Sequence, residues 1–264
     1  MRSFSGKNYI FVAYVYETNA ILLRPMKSRS DACMVSIFQD LYAYLEERNL
    51  KPKMHVLDNE CSRAIKTFIR KEGTDIQLVE PYNHRVNAAE TAVKAAKYHM
   101  LAALATIDPN CPLQLWDRFI PQVQDTLNML RTSRRNTSIS AYEDSEGPYD
   151  FNRTPMSILG TKSLAYTDPS NRTSWSPHGK DTFYTGRCPQ HYRPLEFFIP
   201  ETHSFVTTAT YKTVPTHCSI PAVSEADLTI AAAAKLLQSM QATIPTLTTL
   251  KCRHAKAIDA LTTY

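Results

Sequence analysis

Short apolar runs alternate with longer amphipathic stretches over the first half of the chain. Residues 9–16 and 20–26 are rich in aromatic and branched side chains, and the short link Glu17–Asn19 between them predicts a β-hairpin. From Met34 to Leu45, apolar residues recur four, three and four positions apart. That spacing predicts a helix with one buried face, and Ser30 or Asp31 would cap its first turn.

The same alternation of strand and helix continues towards the middle of the chain. Residues 54–58 and 76–80 are predicted strands, and a helix over about residues 62–72 lies between them and ends at Gly73. A helical pattern of some twenty residues begins at Asn87. Its inward face is predicted to carry Val93, Ala96, Met100 and Leu104.

A last amphipathic helix is predicted over Leu115–Leu130, with Phe119, Val123 and Leu127 on one side. Pro121 falls inside this pattern. Because proline cannot donate a backbone hydrogen bond and its ring collides with the preceding turn, we expect a kink or a break there.

The regular spacing of apolar residues ends after residue 133, where polar residues, Pro and Ser become frequent. Residues 182–214 then alternate short aromatic and β-branched runs with turns, which predicts three or four antiparallel strands. A capping box at Ser224–Asp227 begins a helix over about residues 225–242. We therefore expect an α/β domain over 1–133, an irregular linker over 134–181, a small β module over 182–216 and a tail over 217–264.

Composition and charge narrow the function classes only slightly. The chain has 264 residues, a formal charge of +5 and six cysteines without a CxxC pair. A mild positive charge permits a polyanionic partner, and the scattered cysteines argue against a compact zinc site or a disulfide scaffold. No apolar run approaches the roughly 20 residues that span a bilayer. We expect an intracellular protein, nuclear or cytoplasmic, without a membrane partner.

Two acidic residues sit at the ends of predicted elements. Asp58 ends a predicted strand, and Glu90 lies 32 positions later in the first turn of a predicted helix. Carboxylates placed at one edge of a sheet could hold Mg²⁺ or Mn²⁺ for phosphoryl transfer. The alternative is structural, because Asp58 and Glu60 could cap the next helix and Glu90 could complement its own helix dipole.

Basic residues follow the second of these acids along the same helix. Glu90, Lys94 and Lys97 fall at i, i+4 and i+7, so they share one face, which could meet the phosphates of a nucleic acid. An ordinary solvated face with a Glu–Lys pair has the same spacing.

Polar and basic groups also flank that helix and the predicted helix after it. His84, Arg85 and Asn87 precede the first of the two and could reach phosphates, or could simply be solvated. Arg131, Arg134 and Arg135 end the second, where they add positive charge and could equally complement its dipole.

The order of these segments is similar to one known family. The segments LDNE, LVEPYNHRVNAAETAVKAAKYH, PLQLWDRFIPQVQDTLNMLRTSRRN and WSPHGKDTFYTGRCPQHYR occur in that order. They resemble the integrase region of copia-type long-terminal-repeat retrotransposons over about residues 8–214. The resemblance implies a ribonuclease H-like mixed sheet flanked by helices, then a small antiparallel β module.

The resemblance also implies functional roles. Asp58 would be the second metal-binding aspartate and Glu90 the third acidic ligand, with Lys94 and Lys97 facing DNA. The family's activity is Mg²⁺-dependent processing of the element's 3′ end, followed by strand transfer into target DNA. Element ends, target DNA and further copies of the chain are the implied partners.

Departures from the family leave the enzymatic activity open. The family's first catalytic aspartate lies on a strand that precedes the segment matched here. Assigning the role of that aspartate to Glu17 would be a guess. No amino-terminal His/Cys zinc module is present. We therefore expect an N-terminally truncated integrase relic, whose Asp58 strand is unpaired on one side. The alternatives are a non-catalytic nucleic-acid-binding protein that keeps the fold, or a protein-interaction domain.

Overall fold

The computed structural model describes residues 1–57, 61–79, 88–168, 170, 172, 175–214, 229 and 232–236. Met1–Cys218 form one compact unit and Ser219–Tyr264 a second. The first unit combines helices with small parallel and antiparallel β-ladders, so the α/β class expected from the sequence is confirmed. In the second unit, the described residues 229 and 232–236 are helical, and the predicted cap at Ser224–Asp227 lies outside the described residues.

The predicted hairpin is present. Strand β1 (Tyr9–Val15) pairs antiparallel with β2 (Ala20–Met26), and Val12 lies opposite Leu23. Asn19 turns the chain back with a φ of 60°, a left-handed conformation that asparagine tolerates better than most residues. The hairpin is thus fixed by its turn as well as by the pairing of its apolar strands.

A parallel ladder follows the hairpin. Helix α1 (Asp31–Glu46) leads to β3 (Met54–Leu57), and α2 (Arg63–Lys71) crosses over to β4 (Asp75–Leu78), which pairs parallel with β3. The Ser62 hydroxyl caps α2 by accepting from the Ile65 amide, and Gly73 ends it with a φ of +74°. These elements agree with the strands and helices predicted from the spacing.

The two ladders are not joined by hydrogen bonds among the described residues. Strand β3 has β4 as its hydrogen-bonded neighbour among the described residues. Phe38 of α1 connects the ladders by packing, since its ring lies 5.4 Å from that of Phe11 on β1 and 5.7 Å from that of His55 on β3. The ribonuclease H-like sheet implied by the resemblance stays a prediction.

Two long helices cover the outer face of the hairpin. Helix α3 (Ala88–Ala105) buries Ala92, Ala96 and Met100. Val93, which was predicted to face inward, is 46% exposed, so that part of the prediction is wrong. The buried face is rotated towards Ala92, whose small side chain allows close packing on the apolar core beneath it.

Helix α4 (Trp116–Met129) follows a short 3-10 turn at Leu113–Leu115 and continues through Pro121 without a break. Of the expected kink or break, the break is therefore wrong, and the kink stays a prediction. Proline removes one donor, the one that would reach the carbonyl of Asp117, and the remaining hydrogen bonds and packing hold the helix. Phe119, Val123 and Leu127 are buried as predicted.

A five-stranded sheet forms the C-terminal part of the first unit. Its strands are β5 (Lys162–Tyr166), β6 (Gly179–Arg187), β7 (Leu195–Ile199), β8 (Ser204–Thr208) and β9 (Tyr211–Thr213), in the order β8-β7-β6-β5-β9. The antiparallel strands predicted over 182–214 are confirmed. The range 134–181, predicted to be irregular, contains α5 (Ala141–Glu146) and β5. Strand β5 was missed because it pairs with β6 and β9, which lie far along the chain.

Side chains of α4 complete the outer edge of β2. The Asn128 carboxamide accepts from the Ile21 amide at 2.8 Å and donates to the Ile21 carbonyl at 2.9 Å. The Gln124 side chain accepts from the Leu23 amide at 2.8 Å. Two carboxamides therefore take the place of a neighbouring strand for β2.

The other polar side chains of α4 connect it to the five-stranded sheet. Gln122 accepts from the Tyr184 hydroxyl at 2.6 Å and donates to the Ser157 carbonyl at 2.7 Å. Asp125, buried at 4% exposure, accepts from the Arg187 guanidinium at 2.6 Å. Ten of the fourteen residues of α4 are buried, so this helix is the centre of the first unit rather than part of its surface.

Removing the Asn128 carboxamide is expected to destabilise the fold strongly. Asn128→Ala leaves both backbone groups of Ile21 buried without partners, so the free energy of unfolding should fall by about 2–4 kcal/mol. Urea denaturation followed by circular dichroism measures the change. As a control, Gln39→Ala on the exposed side of α1 should stay within about 0.5 kcal/mol of the parent. An equal effect of the two substitutions would contradict this role of Asn128.

Asp125 gives the fold a specific pH dependence. Burial raises the pKa of Asp125 to about 6, although the positive charge of Arg187 opposes the shift. Because the folded pKa exceeds the unfolded value near 4, the folded state binds this proton more tightly, and its contribution to stability falls as the pH rises from 4 to 6.

Comparing the stability of the parent with that of the Asp125→Asn variant isolates the contribution of the Asp125 proton. The stability of the parent relative to this variant should decline with pH in that window, by at most about 1.4 kcal/mol per pH unit. Chemical denaturation at several pH values measures the decline, and NMR titration of the Asp125 carboxyl should give a midpoint near 6. A midpoint below 4 would mean that the attraction of Arg187 outweighs burial.

Candidate nucleic-acid interface

The residues predicted to act on nucleic acid fall into two groups. Glu90, Lys94 and Lys97 lie on α3 and are described by the structure. The others, namely Asp58, His84, Arg85 and Asn87, lie outside the described residues. Of the expected acidic pair, Glu90 on α3 is therefore described by the structure and Asp58 is not.

Glu90, Lys94 and Lys97 share the outward face of α3, which we call the α3 basic face. Lys94 and Lys97 are exposed, and Glu90 is half-buried in the first turn of the helix. On the other side of the helix, Ala92 and Ala96 are buried against the core. The i, i+4, i+7 spacing thus produces the shared face that the sequence predicted, and both lysines point away from the packed side.

His99 fixes α3 against α4. Its Nε2 lies 2.8 Å from the Thr126 hydroxyl, and that hydroxyl lies 2.9 Å from the Gln122 carbonyl, to which it donates. Burial lowers the pKa of His99, so the neutral ring at physiological pH donates its Nε2 proton to Thr126. The orientation of the α3 basic face is therefore set by a partly buried hydrogen bond as well as by apolar packing.

A divalent cation is the cofactor that the sequence predicts. Among the described ranges, no group of three or more His, Cys, Asp or Glu side chains is placed to hold a metal ion. Glu90 is the one expected ligand that the structure describes, and it lies at the positive end of the α3 dipole, where a carboxylate is also stabilised without a metal. The role of Glu90 as a metal ligand and the binding of Mg²⁺ therefore both stay predictions.

The three arginines after α4 have different roles. Arg131 donates to the Asn19 carbonyl at 2.8 Å and so anchors the hairpin turn. Arg135 forms an ion pair with Asp144 at 2.8 Å, and this hydrogen-bonded contact raises the pKa of Arg135. The predicted run of positive charge is therefore largely used to hold the structure together.

Arg134 is placed differently from its neighbours. Its guanidinium lies 4.0 Å from the centroid of the Tyr16 ring, and Tyr16 is 64% exposed at the end of the hairpin. Exposed aromatic and guanidinium planes are surfaces on which nucleobases stack. Sequence reasoning did not pair these two residues, because they are separated by more than a hundred positions.

A cavity of about 310 Å³ at the start of α4 was not predicted from the sequence. Its walls come from the N-terminal segment, β2, α4 and strands β6 and β7. Lys7, Asp117 and Arg118 contribute charged side chains to it. The one local signal was Pro121, which also lines the cavity and deprives the Asp117 carbonyl of a helical donor.

Comparisons with known proteins give little support for a family. No family model matches the chain, and no curated protein matches it either. Among solved structures, it is similar to a chain of the simian T-cell lymphotropic virus intasome in complex with PP2A regulatory subunit B56 gamma, solved by cryo-EM. The TM-score is 0.36 at 12% identity, over 78% of this chain and 74% of that one. A likeness at that TM-score does not establish a shared fold.

None of the helices in the described ranges is long and apolar enough to cross a bilayer.

Proposed function

We propose that this chain is an integrase-like protein that binds DNA along the α3 basic face. One observation carries the proposal. Lys94 and Lys97 are exposed side by side on one face of α3, whereas the opposite face is buried against the core. A helix held in this way presents its cations to a partner without needing them for its own packing.

The chemistry of the face suits a phosphate backbone. Lys94 and Lys97 are about one helical turn apart, roughly 4.5 Å along the axis. Each lysine that neutralises a phosphate releases condensed counterions, so binding through this face depends on salt and not on base sequence. Arg134 stacked on Tyr16 would offer a platform for an unpaired base.

The catalytic part of the proposal concerns Asp58 and Glu90. As the resemblance to copia-type integrases implies, these carboxylates would hold Mg²⁺ or Mn²⁺, which supplies Lewis acidity for phosphoryl transfer when bound. The chain's own residues would contribute the oxygen ligands and, through Lys94 and Lys97, the position of the DNA strand. The reaction would be 3′-end processing followed by strand transfer.

The second candidate is a nucleic-acid-binding protein without catalytic activity. Strand β3, which leads to Asp58, has β4 as its single hydrogen-bonded neighbour in the described part of the chain. A strand supported on one edge positions a carboxylate less rigidly than a strand inside a sheet, and phosphoryl transfer depends on such positioning. DNA binding through α3 has no such requirement.

Salt-dependent binding tests the α3 basic face directly. The variant Lys94→Gln/Lys97→Gln should keep the parent's thermal stability, because both side chains are exposed, and should weaken binding to duplex DNA. A plot of log affinity against log salt should lose about 1.8 from its slope, since each phosphate contact contributes about 0.9. Fluorescence anisotropy at several salt concentrations measures the slope.

A matched control uses two exposed lysines of the five-stranded sheet. Lys180→Gln/Lys212→Gln changes the net charge by the same amount, but on β6 and β9. Its slope should match that of the parent. If both double variants lose the same slope, the DNA contacts are not concentrated on α3 and the assignment is wrong.

A strand-transfer assay separates the two candidate functions. If the chain is catalytic, oligonucleotides that mimic element ends should be joined to target DNA in the presence of Mg²⁺ or Mn²⁺. Asp58→Asn and Glu90→Gln should each abolish joining while leaving DNA affinity within about threefold, because each removes a ligand and not a phosphate contact. DNA binding without metal-dependent joining would instead identify the non-catalytic protein. Absence of DNA binding even at low salt would exclude both and leave a protein-interaction domain.

A further inference from the structure

The end of the β1–β2 hairpin carries two tyrosine rings beside one arginine. The ring centroids of Tyr14 and Tyr16 are 6.3 Å apart, and the ring planes meet at 82°. The Arg134 guanidinium lies 4.0 Å from the Tyr16 centroid and 5.9 Å from the Tyr14 centroid. These distances place the three side chains in one cluster, which we call the hairpin platform.

Hydrogen bonds and core packing hold the hairpin platform in place. Tyr14 packs against the apolar core, and its hydroxyl donates to Asn19 Oδ1 at 2.9 Å. The Asn19 carboxamide donates to the Thr132 carbonyl at 2.8 Å, and Arg131 Nε donates to the Asn19 carbonyl at 2.8 Å. The hairpin turn is thus joined to the segment that carries Arg134, and the cluster is arranged before any ligand binds.

Tyr16 and Arg134 keep binding groups that the fold does not use. Tyr16 is 64% exposed, and its hydroxyl has no hydrogen bond with a described residue. The exposed Arg134 side chain has no hydrogen bond or ion pair with a described residue either. The hydrogen bond from Asp144, and then the charge of Glu17, instead raise the pKa of Arg135. The N–H groups of Arg134 are therefore left for a ligand.

Other arginine–tyrosine contacts in the chain lack this combination. Arg48 lies 3.7 Å from the Tyr44 ring centroid, but both side chains donate to the Glu146 carboxylate. Arg29 lies 4.8 Å from the Tyr9 centroid, and Tyr9 is less exposed, at 39%, with no second aromatic ring beside it in the described part of the chain. The hairpin platform joins an open ring, a second ring and a cation without a carboxylate partner.

An open aromatic ring beside an unpaired guanidinium favours a planar ligand with a negative charge. Arginine can donate two parallel N–H groups to one phosphate. The bases of a duplex are covered by their neighbours in the stack, so an unpaired base is the one that can lie on Tyr16. A nucleotide of a single strand offers both groups, and every base has a π-face, so the contact does not depend on base sequence.

We propose that the hairpin platform binds an unpaired nucleotide of a single nucleic-acid strand. The base stacks on the open surface of Tyr16, and Arg134 donates its N–H groups to an adjacent phosphate. This role rests on the nucleic-acid-binding function proposed for the chain and adds a contact for single strands to the α3 basic face, which meets the phosphates of a duplex.

Two strands of equal length and charge test the stacking contact. The full chain should bind a thymidine oligonucleotide about tenfold more tightly than the corresponding abasic oligonucleotide, as measured by fluorescence anisotropy. Tyr16→Ala should abolish this preference. Tyr16→Phe should keep it, because the ring remains and the lost hydroxyl has no described partner. Equal binding of the two strands by the parent, or no detectable binding of either at low salt, would overturn the proposal.

Another exposed tyrosine provides the matched control. Tyr192 lies between β6 and β7, is 69% exposed and has no aromatic or cationic partner among the described residues. Tyr192→Ala should therefore keep the preference for the thymidine strand. If it loses the preference as Tyr16→Ala does, stacking is not located at the hairpin and the assignment is wrong.

The phosphate contact needs a second variant, which also covers the case in which Tyr16→Ala does not fold. Arg134→Gln should reduce the slope of log affinity against log salt by about 0.7 for the thymidine strand, the contribution of one single-strand phosphate. Lys180→Gln, which removes one exposed charge on β6, should keep the parent's slope. An unchanged slope in Arg134→Gln would mean that Arg134 binds no phosphate and that the binding mode is wrong.

A cross-comparison separates this site from the α3 basic face. Lys94→Gln/Lys97→Gln should lose duplex affinity and keep the preference for thymidine over abasic strands, whereas Tyr16→Ala should lose the preference and keep duplex affinity. If the double variant keeps duplex affinity while the preference persists, the α3 assignment fails and the hairpin platform stands. If duplex affinity falls as expected but the parent shows no preference, the hairpin platform fails alone.

Deoxyuridine and uridine strands of equal length identify the source of the strand, because they differ in the 2′-hydroxyl. Tighter binding of the first indicates DNA, and tighter binding of the second indicates RNA. In either case Tyr16→Ala must weaken the tighter complex about tenfold. Unchanged affinity in that variant would refute stacking on Tyr16.

Discussion

The buried polar side of α4 is the constraint on which the rest of the first unit depends. A helix with ten buried residues among fourteen must give partners to its polar side chains, because an unpaired polar group in the interior costs more than a hydrogen bond returns. Asn128 and Gln124 find their partners on the backbone of β2, and Gln122 and Asp125 find theirs on the five-stranded sheet. The same turns of helix therefore fix the hairpin on one side and the C-terminal sheet on the other. The register of β2 and the position of β6 are thus set by one element.

Local pattern was sufficient for most elements of the first half of the chain but not for this arrangement. The hairpin, α1 and the β3–α2–β4 unit follow from apolar spacing, turn residues and caps, all of which act over a few positions. The polar residues of α4 have the spacing of a solvated face, and their partners lie more than a hundred positions earlier or about sixty positions later. Strand β5 was missed for a similar reason, since its short run is stabilised by strands that come after it. Val93 was misplaced because a run rich in alanine hardly distinguishes one side of a helix from the next.

The candidate sites differ in how far the sequence could define them. The α3 basic face depends on helical periodicity alone, so Glu90, Lys94 and Lys97 were grouped correctly before any tertiary structure was known. The pairing of Arg134 with Tyr16 and the walls of the cavity at the start of α4 required the tertiary structure, because they combine residues from distant parts of the chain. The role given to Asp58 comes from its place at the end of a strand and from the family resemblance, and the roles of His84, Arg85 and Asn87 come from their position before α3. All of these roles stay predictions. Sequence thus predicts which residues share a helix face, whereas a cavity is a property of the assembled fold.

The carboxamides on the outer edge of β2 also determine where a further strand can pair with the hairpin. An open strand edge is a template for pairing with another segment or another copy of the chain. The Asn128 and Gln124 side chains already bind the backbone of β2 at Ile21 and Leu23, so no additional strand can pair there without displacing α4. The opposite edge, along β1, has no hydrogen-bonded neighbour other than β2 in the part of the chain that is described. If another strand pairs with this ladder, it must therefore add along β1, because α4 chemically closes the edge of β2.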